Sequence, residues 1–326
     1  MYEDCIKVGQ DIGNKNLKTC SDKDRPHEIP IAYTEITEDR YNNEPVGDST
    51  LKGKYSNRFY LVGLQCVSGL PRNKGNIKHR EKANMFKLIG LAQDLRLQGK
   101  SKGVFKVVTG TPTEDYDLFK DDYTDLMLTP NDDYEVIEIN HEEFQIKVVG
   151  TYITKQSACL APTIPHWKEK DLMIIDFGGG TLDLAYFRKG VRQQYETIDF
   201  SLNNVLAELG NKLNSYKLGL PRADVLNSGF MKLMEDVILE GRYQNETTIV
   251  IDGAIANLKE YCTKWLQEKV DTLIDDIVIK LDISDADCRA IEIYYIGGGV
   301  KLLKKQLSDN NVFSNINLVE NPQFAN

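Results

Sequence analysis

Cysteine is sparse and scattered. Cys5, Cys20, Cys66, Cys159, Cys262 and Cys288 include no Cys-x-x-Cys pair. This spacing argues against a zinc site or a disulfide framework, and the expectation is reduced, structural thiols in a cytoplasm. Long apolar runs are missing as well, since none approaches the ~20 residues needed to span a bilayer. The opening stretch MYEDCIKVGQ has neither the pattern of a signal peptide nor that of an amphipathic anchor, so no membrane contact is expected. Positive charge is in deficit: 40 Lys and Arg against 49 Asp and Glu give a net charge of -9. This argues against an extended basic surface for direct nucleic-acid binding, although not against a DNA-binding partner. Asn245-Glu246-Thr247 matches a glycosylation sequon and, with no secretion signal, reads as chance.

What is present is enough apolar residue for a large core: 326 residues with 41% hydrophobic content, a length at which two lobes are the natural division. The centre of the chain is Leu172 to Arg188, LMIIDFGGGTLDLAYFR. An apolar run ends on Asp176, then come Gly178, Gly179, Gly180 and Thr181, then a second apolar run interrupted by Asp183. The pattern predicts strand, tight turn, strand. Glycines permit positive φ, and successive backbone N–H groups in such a turn form an anion cradle. A carboxylate beside it can hold hydrated Mg²⁺ or orient a water. From this stretch alone an ordinary β-hairpin with a flexible turn is an equal reading.

The same logic occurs earlier. Ile6, Val8 and Ile12 lead into Asp11-Ile12-Gly13-Asn14-Lys15-Asn16-Leu17-Lys18, again a strand, an acid with glycine and polar residues, and a returning strand. Lys18 adds a cation able to reach a phosphate as a point charge. Apolar spacing predicts a helix from about Ile77 to Gln98 and another over Glu114 to Leu128. Strands are predicted at Arg58–Val67, Val104–Val108, Tyr134–Ile139, Phe144–Val149 and Gln193–Ile198. Helical faces follow at Leu202–Leu213 and Val225–Ile238, and a long helical pattern at Ile255–Ile277. Ile291–Ile296 is strand-like and runs into Gly297-Gly298-Gly299, after which Val300–Leu307 opens a helix. Strand, triple glycine and helix place a helix N-terminus and bare backbone beside a ligand position.

The three glycine-bearing turns, in this order and spacing, resemble the actin-like ATPase superfamily, and Asp11–Lys18 together with Val108-Thr109-Gly110-Thr111-Pro112 resemble its bacterial plasmid-segregation (ParM-like) branch. The resemblance covers nearly the whole chain. It implies an α/β, two-lobed actin-like (ribonuclease H-like) ATPase fold with a central nucleotide cleft. The first lobe is expected at residues 1–170, with 309–326 returning to it, and the second at 171–308. By the same resemblance Asp11 and Asp176 hold Mg²⁺ through water from opposite walls of the cleft. Gly13, Asn14, Lys18, Gly178, Gly179, Gly180 and Thr181 contact phosphates, Gly297, Gly298 and Gly299 flank the nucleoside, and Gln156 positions the attacking water beside Asp176. An amide there can orient water without acting as a strong base.

The function implied is a cytoplasmic filament protein that binds and hydrolyses ATP (ADP as product), with GTP as the alternative nucleotide. Its partners would be further copies of itself and a DNA-binding adaptor on a plasmid centromere. Two other readings stay open: a small-molecule kinase of the sugar or acetate kinase type, and an MreB-like cytoskeletal scaffold. No segment announces the catalytic acid of the first or the membrane-binding element of the second.

Overall fold

The structure, a computed structural model, describes residues 5–12, 16–23, 25–47, 50–63, 66, 73–74, 80–111, 113–221 and 228–319. The chain forms two compact units, Met1–Lys155 and Gln156–Asn326.

The first unit runs β1 (Ile6–Ile12), β2 (Asn16–Ser21), β3 (His27–Pro30), β4 (Ala32–Ile36), α1 (Glu38–Asn43), β5 (Thr50–Tyr55), β6 (Arg58–Gly63), β7 (Asn73–Lys74), α2 (Arg80–Leu97), β8 (Lys102–Thr111), α3 (Thr113–Met127), β9 (Glu135–Ile139) and β10 (Glu142–Lys155). The strands form one mixed sheet in the order β3-β2-β1-β8-β10-β9-β5-β6-β4-β7. β1 alternates, burying Ile6, Val8 and Gln10 and exposing Lys7 and Gly9, as a strand with one core face must. β1 lies antiparallel to β2 and parallel to β8, so Asp11 is carried to the end of a central strand.

Helix α2 buries Leu88, Leu91, Ala92 and Leu95 against that sheet. It approaches so closely at Gly90 that a Cβ there would sit 2.3 Å from Gln10 Nε2 and 2.7 Å from Thr19 Oγ1. One turn earlier Lys87 is fully buried. Its ammonium pairs with Glu135 on β9 at 2.8 Å and donates to the Leu126 carbonyl at 3.2 Å. Its own carbonyl accepts from Gln10 Nε2 at 3.1 Å. A buried cation is tolerated only with such partners.

The second unit contains β11 (Asp171–Phe177), β12 (Leu182–Arg188), β13 (Val191–Ile198), α4 (Leu202–Ser215), α5 (Ser228–Glu240), β14 (Thr248–Ile251), β15 (Ala254–Asn257), α6 (Leu258–Leu281), α7 (Asp285–Ala290), β16 (Glu292–Ile296), α8 (Val300–Asp309) and β17 (Asn315–Leu318). Its main sheet has the order β13-β12-β11-β16-β17. The central strand β11 is apolar on both faces because both are covered. Met173, Ile175 and Phe177 enter the large core formed with α4, α5, α6 and α8, while Leu172 and Ile174 enter a smaller cluster with Ala161, Ile164, Ala185, Phe187 and Ile296.

Three expectations are corrected. β17 pairs in parallel with β16, Ile316 opposite Ile293 and Leu318 opposite Tyr295, and both side chains pack on the second unit's core. The described terminal segment therefore stays with the second unit and does not return to the first. Residues 156–170 also belong to it, because their short turns bury Ala161 and Ile164 against the β11 face. The helix expected from Ile255 begins only at Leu258: Ala254–Asn257 is instead a strand paired antiparallel with Thr248–Ile251.

Candidate functional site

In the first unit, the β1–β2 hairpin places Asp11 directly across from Lys18, and Lys18 Nζ lies 3.1 Å from Asp11 Oδ2. Both side chains are largely buried, at 15% and 12% exposure, so the pair is a fixed element and not two solvated charges. Gly13 and Asn14 lie outside the described residues.

In the second unit, β11 and β12 form the expected hairpin, with Phe177 opposite Leu182 and residues 178–181 as its turn. Gly178 folds back tightly: its N–H donates to the Asp176 carbonyl at 3.1 Å, and a Cβ would meet the Thr181 carbonyl oxygen at 2.6 Å. The Gly179 carbonyl accepts from Ser201 Oγ at 2.8 Å and from the Asn203 N–H at 3.1 Å. Ser201 is also the N-cap of α4, accepting from the Asn204 N–H. One serine thus fixes the turn to a helix start.

The third turn is brought beside the second because β16 runs parallel to β11, with Ile296 opposite Asp176. Gly297 has φ +90°, and a Cβ on it would lie 2.1 Å from Asp176 Oδ1. The Gly299 N–H donates to the Phe177 carbonyl at 3.0 Å, and α8 begins at the next residue. Two glycine turns and two helix N-termini thus converge at the carboxyl ends of two parallel strands, where open α/β sheets bind ligands.

The strand register also discloses a residue that the sequence had marked only as an interruption. Asp183 stands directly opposite Asp176, and the two are 3% and 4% exposed. Like charges placed so destabilise a sheet unless a cation or hydrogen bonds compensate. Asp183 is held by hydroxyls: Thr197 Oγ1 donates to its Oδ1 at 2.6 Å, and Thr181 Oγ1 to its Oδ2 at 3.4 Å. The available signal was an acid inside LDLAYF, a run otherwise apolar at every core position.

Gln156 opens a 3-10 turn, Gln156–Ala158, that packs against β11 and β12. Its backbone is thus set near the strands that carry the acid pair, while its side chain lies outside the described residues. The neighbouring Ser157 is fully buried, and its hydroxyl makes no hydrogen bond within the described chain.

This donor set fits a hydrated divalent cation. Among the described residues no group of three or more His, Cys, Asp or Glu side chains could cage a metal alone. Mg²⁺ is commonly held by one or two carboxylates plus substrate phosphates and waters, which is what a buried acid pair beside two glycine turns can offer.

The fold is that of the actin-like proteins, mixed α/β in two lobes. Residues 9–158 match the family model described as the actin like proteins N terminal domain. Solved structures agree over nearly the whole chain. Actin-like protein Alp7A superposes with a TM-score of 0.71 at 17% identity, covering 99% of this chain and 94% of that one. An archaeal actin homologue, Ta0583, gives 0.72 at 14% identity with 98% and 96% covered. A 15-stranded ParM filament from Clostridium botulinum gives 0.64 at 20% identity with 99% and 97% covered. No curated protein sequence matches significantly. Residues 9–158 thus match an actin-like N-terminal domain, and the solved structures whose fold the chain shares include ParM and Alp proteins.

Proposed function

We propose that this chain binds and hydrolyses a nucleoside triphosphate, ATP in the first place and GTP as the alternative, with Mg²⁺, and that nucleotide state controls its assembly into filaments. The observation that carries the reading is the convergence of Gly178–Thr181 and Gly297–Gly299 on the buried Asp176–Asp183 pair. The backbone N–H groups of the first turn receive phosphate, and the glycines of the second leave room for the nucleoside. Asp176 and Asp183 would hold the metal's waters, and Gln156 would orient the attacking water. Asp11, with Lys18, Gly13 and Asn14, supplies a second set of groups for phosphate and metal. Mg²⁺, when bound, neutralises charge on the transferred phosphoryl group; the chain's part is to position and exclude water.

Self-assembly is supported by relatives solved as filaments, one of Alp12 and one of ParM. Plasmid segregation through a DNA-bound adaptor in the cytoplasm is the biological setting we infer. The acidic net charge of -9 supports leaving direct DNA contact to such an adaptor. No helix among the described residues is long and apolar enough to cross a membrane.

The test pairs phosphate release with sedimentation in ATP and in ADP. Asp176→Asn should lose at least about 10²-fold in phosphate release, roughly 2.7 kcal/mol of barrier, with its melting curve unchanged. Full turnover in that variant, or wild-type pelleting that ignores the nucleotide, would remove the reading. Phosphoryl transfer to a sugar or acetate in place of water would establish the kinase alternative.

A further inference from the structure

Four side chains stand in one row across the second sheet: Ile296 on β16, Asp176 on β11, Asp183 on β12 and Thr197 on β13. The first three are buried, and Thr197 is half-buried on the edge strand. Its hydroxyl makes the shortest contact of the cluster, 2.6 Å to Asp183 Oδ1. Thr197 is itself anchored from behind. Lys280, near the end of α6, pairs with Glu196 at 2.9 Å and reaches the Thr197 carbonyl oxygen at 3.5 Å.

We propose that Thr197 is a positioning residue: its hydroxyl locks Asp183 beside Asp176, so that the two carboxylates present a fixed oxygen pair to the divalent cation that accompanies the nucleotide. The proposal rests on the nucleotide reading above. Two carboxylates directly across a strand pair repel, and a free Asp183 would lower its energy by rotating away from Asp176. A charge-assisted hydrogen bond from a hydroxyl opposes that rotation. Threonine suits the task because its branched Cβ stiffens χ1 and favours a strand, so the hydroxyl is aimed at little entropic cost. Outer groups that orient a metal's carboxylates commonly change metal affinity by about 10–100-fold when removed. Lys280 extends the support, tying the strand that bears Thr197 to α6.

The experiment uses the full chain and a fluorescent N-methylanthraniloyl-ADP probe, titrated with MgCl₂ and, separately, in EDTA. Thr197→Val keeps the shape and the β-branch and removes the hydroxyl; Thr197→Ser keeps the hydroxyl. Thr197→Val should raise the half-saturating Mg²⁺ by about tenfold. Nucleotide affinity in EDTA should stay unchanged, and Thr197→Ser should stay within about twofold of wild type. Asp183→Asn should shift the Mg²⁺ requirement at least as far, and adding Thr197→Val to it should produce no further change. An unaltered Mg²⁺ requirement in Thr197→Val overturns the proposal, as does an equal shift in Thr197→Ser, which would make the side chain a packing element. Wild-type protein that binds no probe in either condition fails earlier, at the nucleotide reading, and takes the proposal with it.

Discussion

Position 297 has no room for a side chain. Its φ is +90°, and an added Cβ would lie 2.1 Å from a carboxylate oxygen of Asp176 and 2.7 Å from the Phe177 carbonyl. Gly298, the next residue, faces open space, with nothing within 4 Å of an added Cβ. Gly297→Ala should therefore cost about 1–3 kcal/mol in a urea melt and abolish nucleotide binding, whereas Gly298→Ala should change stability by less than about 0.5 kcal/mol. Equal effects of the two would show that glycine content and not geometry matters there. Lys87 gives a second contrast. Burial pushes its ammonium below the usual 10.5, and Glu135 only partly opposes this. The native state thus binds fewer protons at Lys87 than the unfolded chain does between the two values. The penalty is fully present below the folded value and fades as pH rises toward the unfolded one, so stability increases with pH over that window. Urea midpoints of wild type should rise relative to those of Lys87→Met as the buffer is taken upward through it. Lys87→Ala, which strands Glu135, should lose about 3–5 kcal/mol, and adding Glu135→Gln should recover most of it.

Among the elements, those whose sequence pattern is local were legible, and those defined by a distant partner were not. The hairpins at Asp11 and Asp176 announce themselves by an apolar run, an acid and glycine within a few residues, and both form as expected. The same holds for β16 with its glycines and for the amphipathic faces of α4 and α5, except Val225, which lies outside the described residues. Three features escaped. The helical pattern that begins at Ile255 takes in most of β15, because Ile255, Leu258 and Cys262 suit helical spacing. The stronger signal was Asp252-Gly253, a turn pair with φ of 48° and 83° that makes a two-residue hairpin loop and sets Ile255 across from Val250. β17 lies in the segment expected to return to the first lobe, since only its parallel alignment with β16 reveals its use. Asp183 and Thr197 are separated by 14 residues and become a pair only through strand register. The start of α6 is checked by its cap: the Asn257 side chain accepts from the Glu260 N–H at 3.1 Å. Asn257→Ala should lower stability by about 1 kcal/mol, seen as a shift in thermal midpoint with nucleotide affinity intact. A loss confined to nucleotide affinity would instead tie this end of the second unit to the site.

At the scale of the whole molecule the expectation that joins chemistry to assembly concerns Gln156. Its backbone opens the short turn packed on β11 and β12, the strands that bear Asp176 and Asp183. In the proposed role its amide would align water without titrating near neutral pH, and its loss should leave nucleotide binding and polymer formation in place. Phosphate release in Gln156→Ala should slow by about 10²-fold, or roughly 2.7 kcal/mol of barrier. If hydrolysis times the polymer, filament lifetime should lengthen in step, because subunits remain longer in the triphosphate state. Light scattering and phosphate release recorded on one sample separate the possibilities. Slow release with persistent scattering supports the coupling. Slow release with a wild-type decay of scattering would mean that disassembly is independent of hydrolysis. Unchanged release would strip Gln156 of the role and pass the positioning of water to the acid pair. Asp183→Asn is the discriminating companion: it should raise the Mg²⁺ requirement, which Gln156→Ala should leave alone, so the two variants divide metal placement from water placement within a single assay.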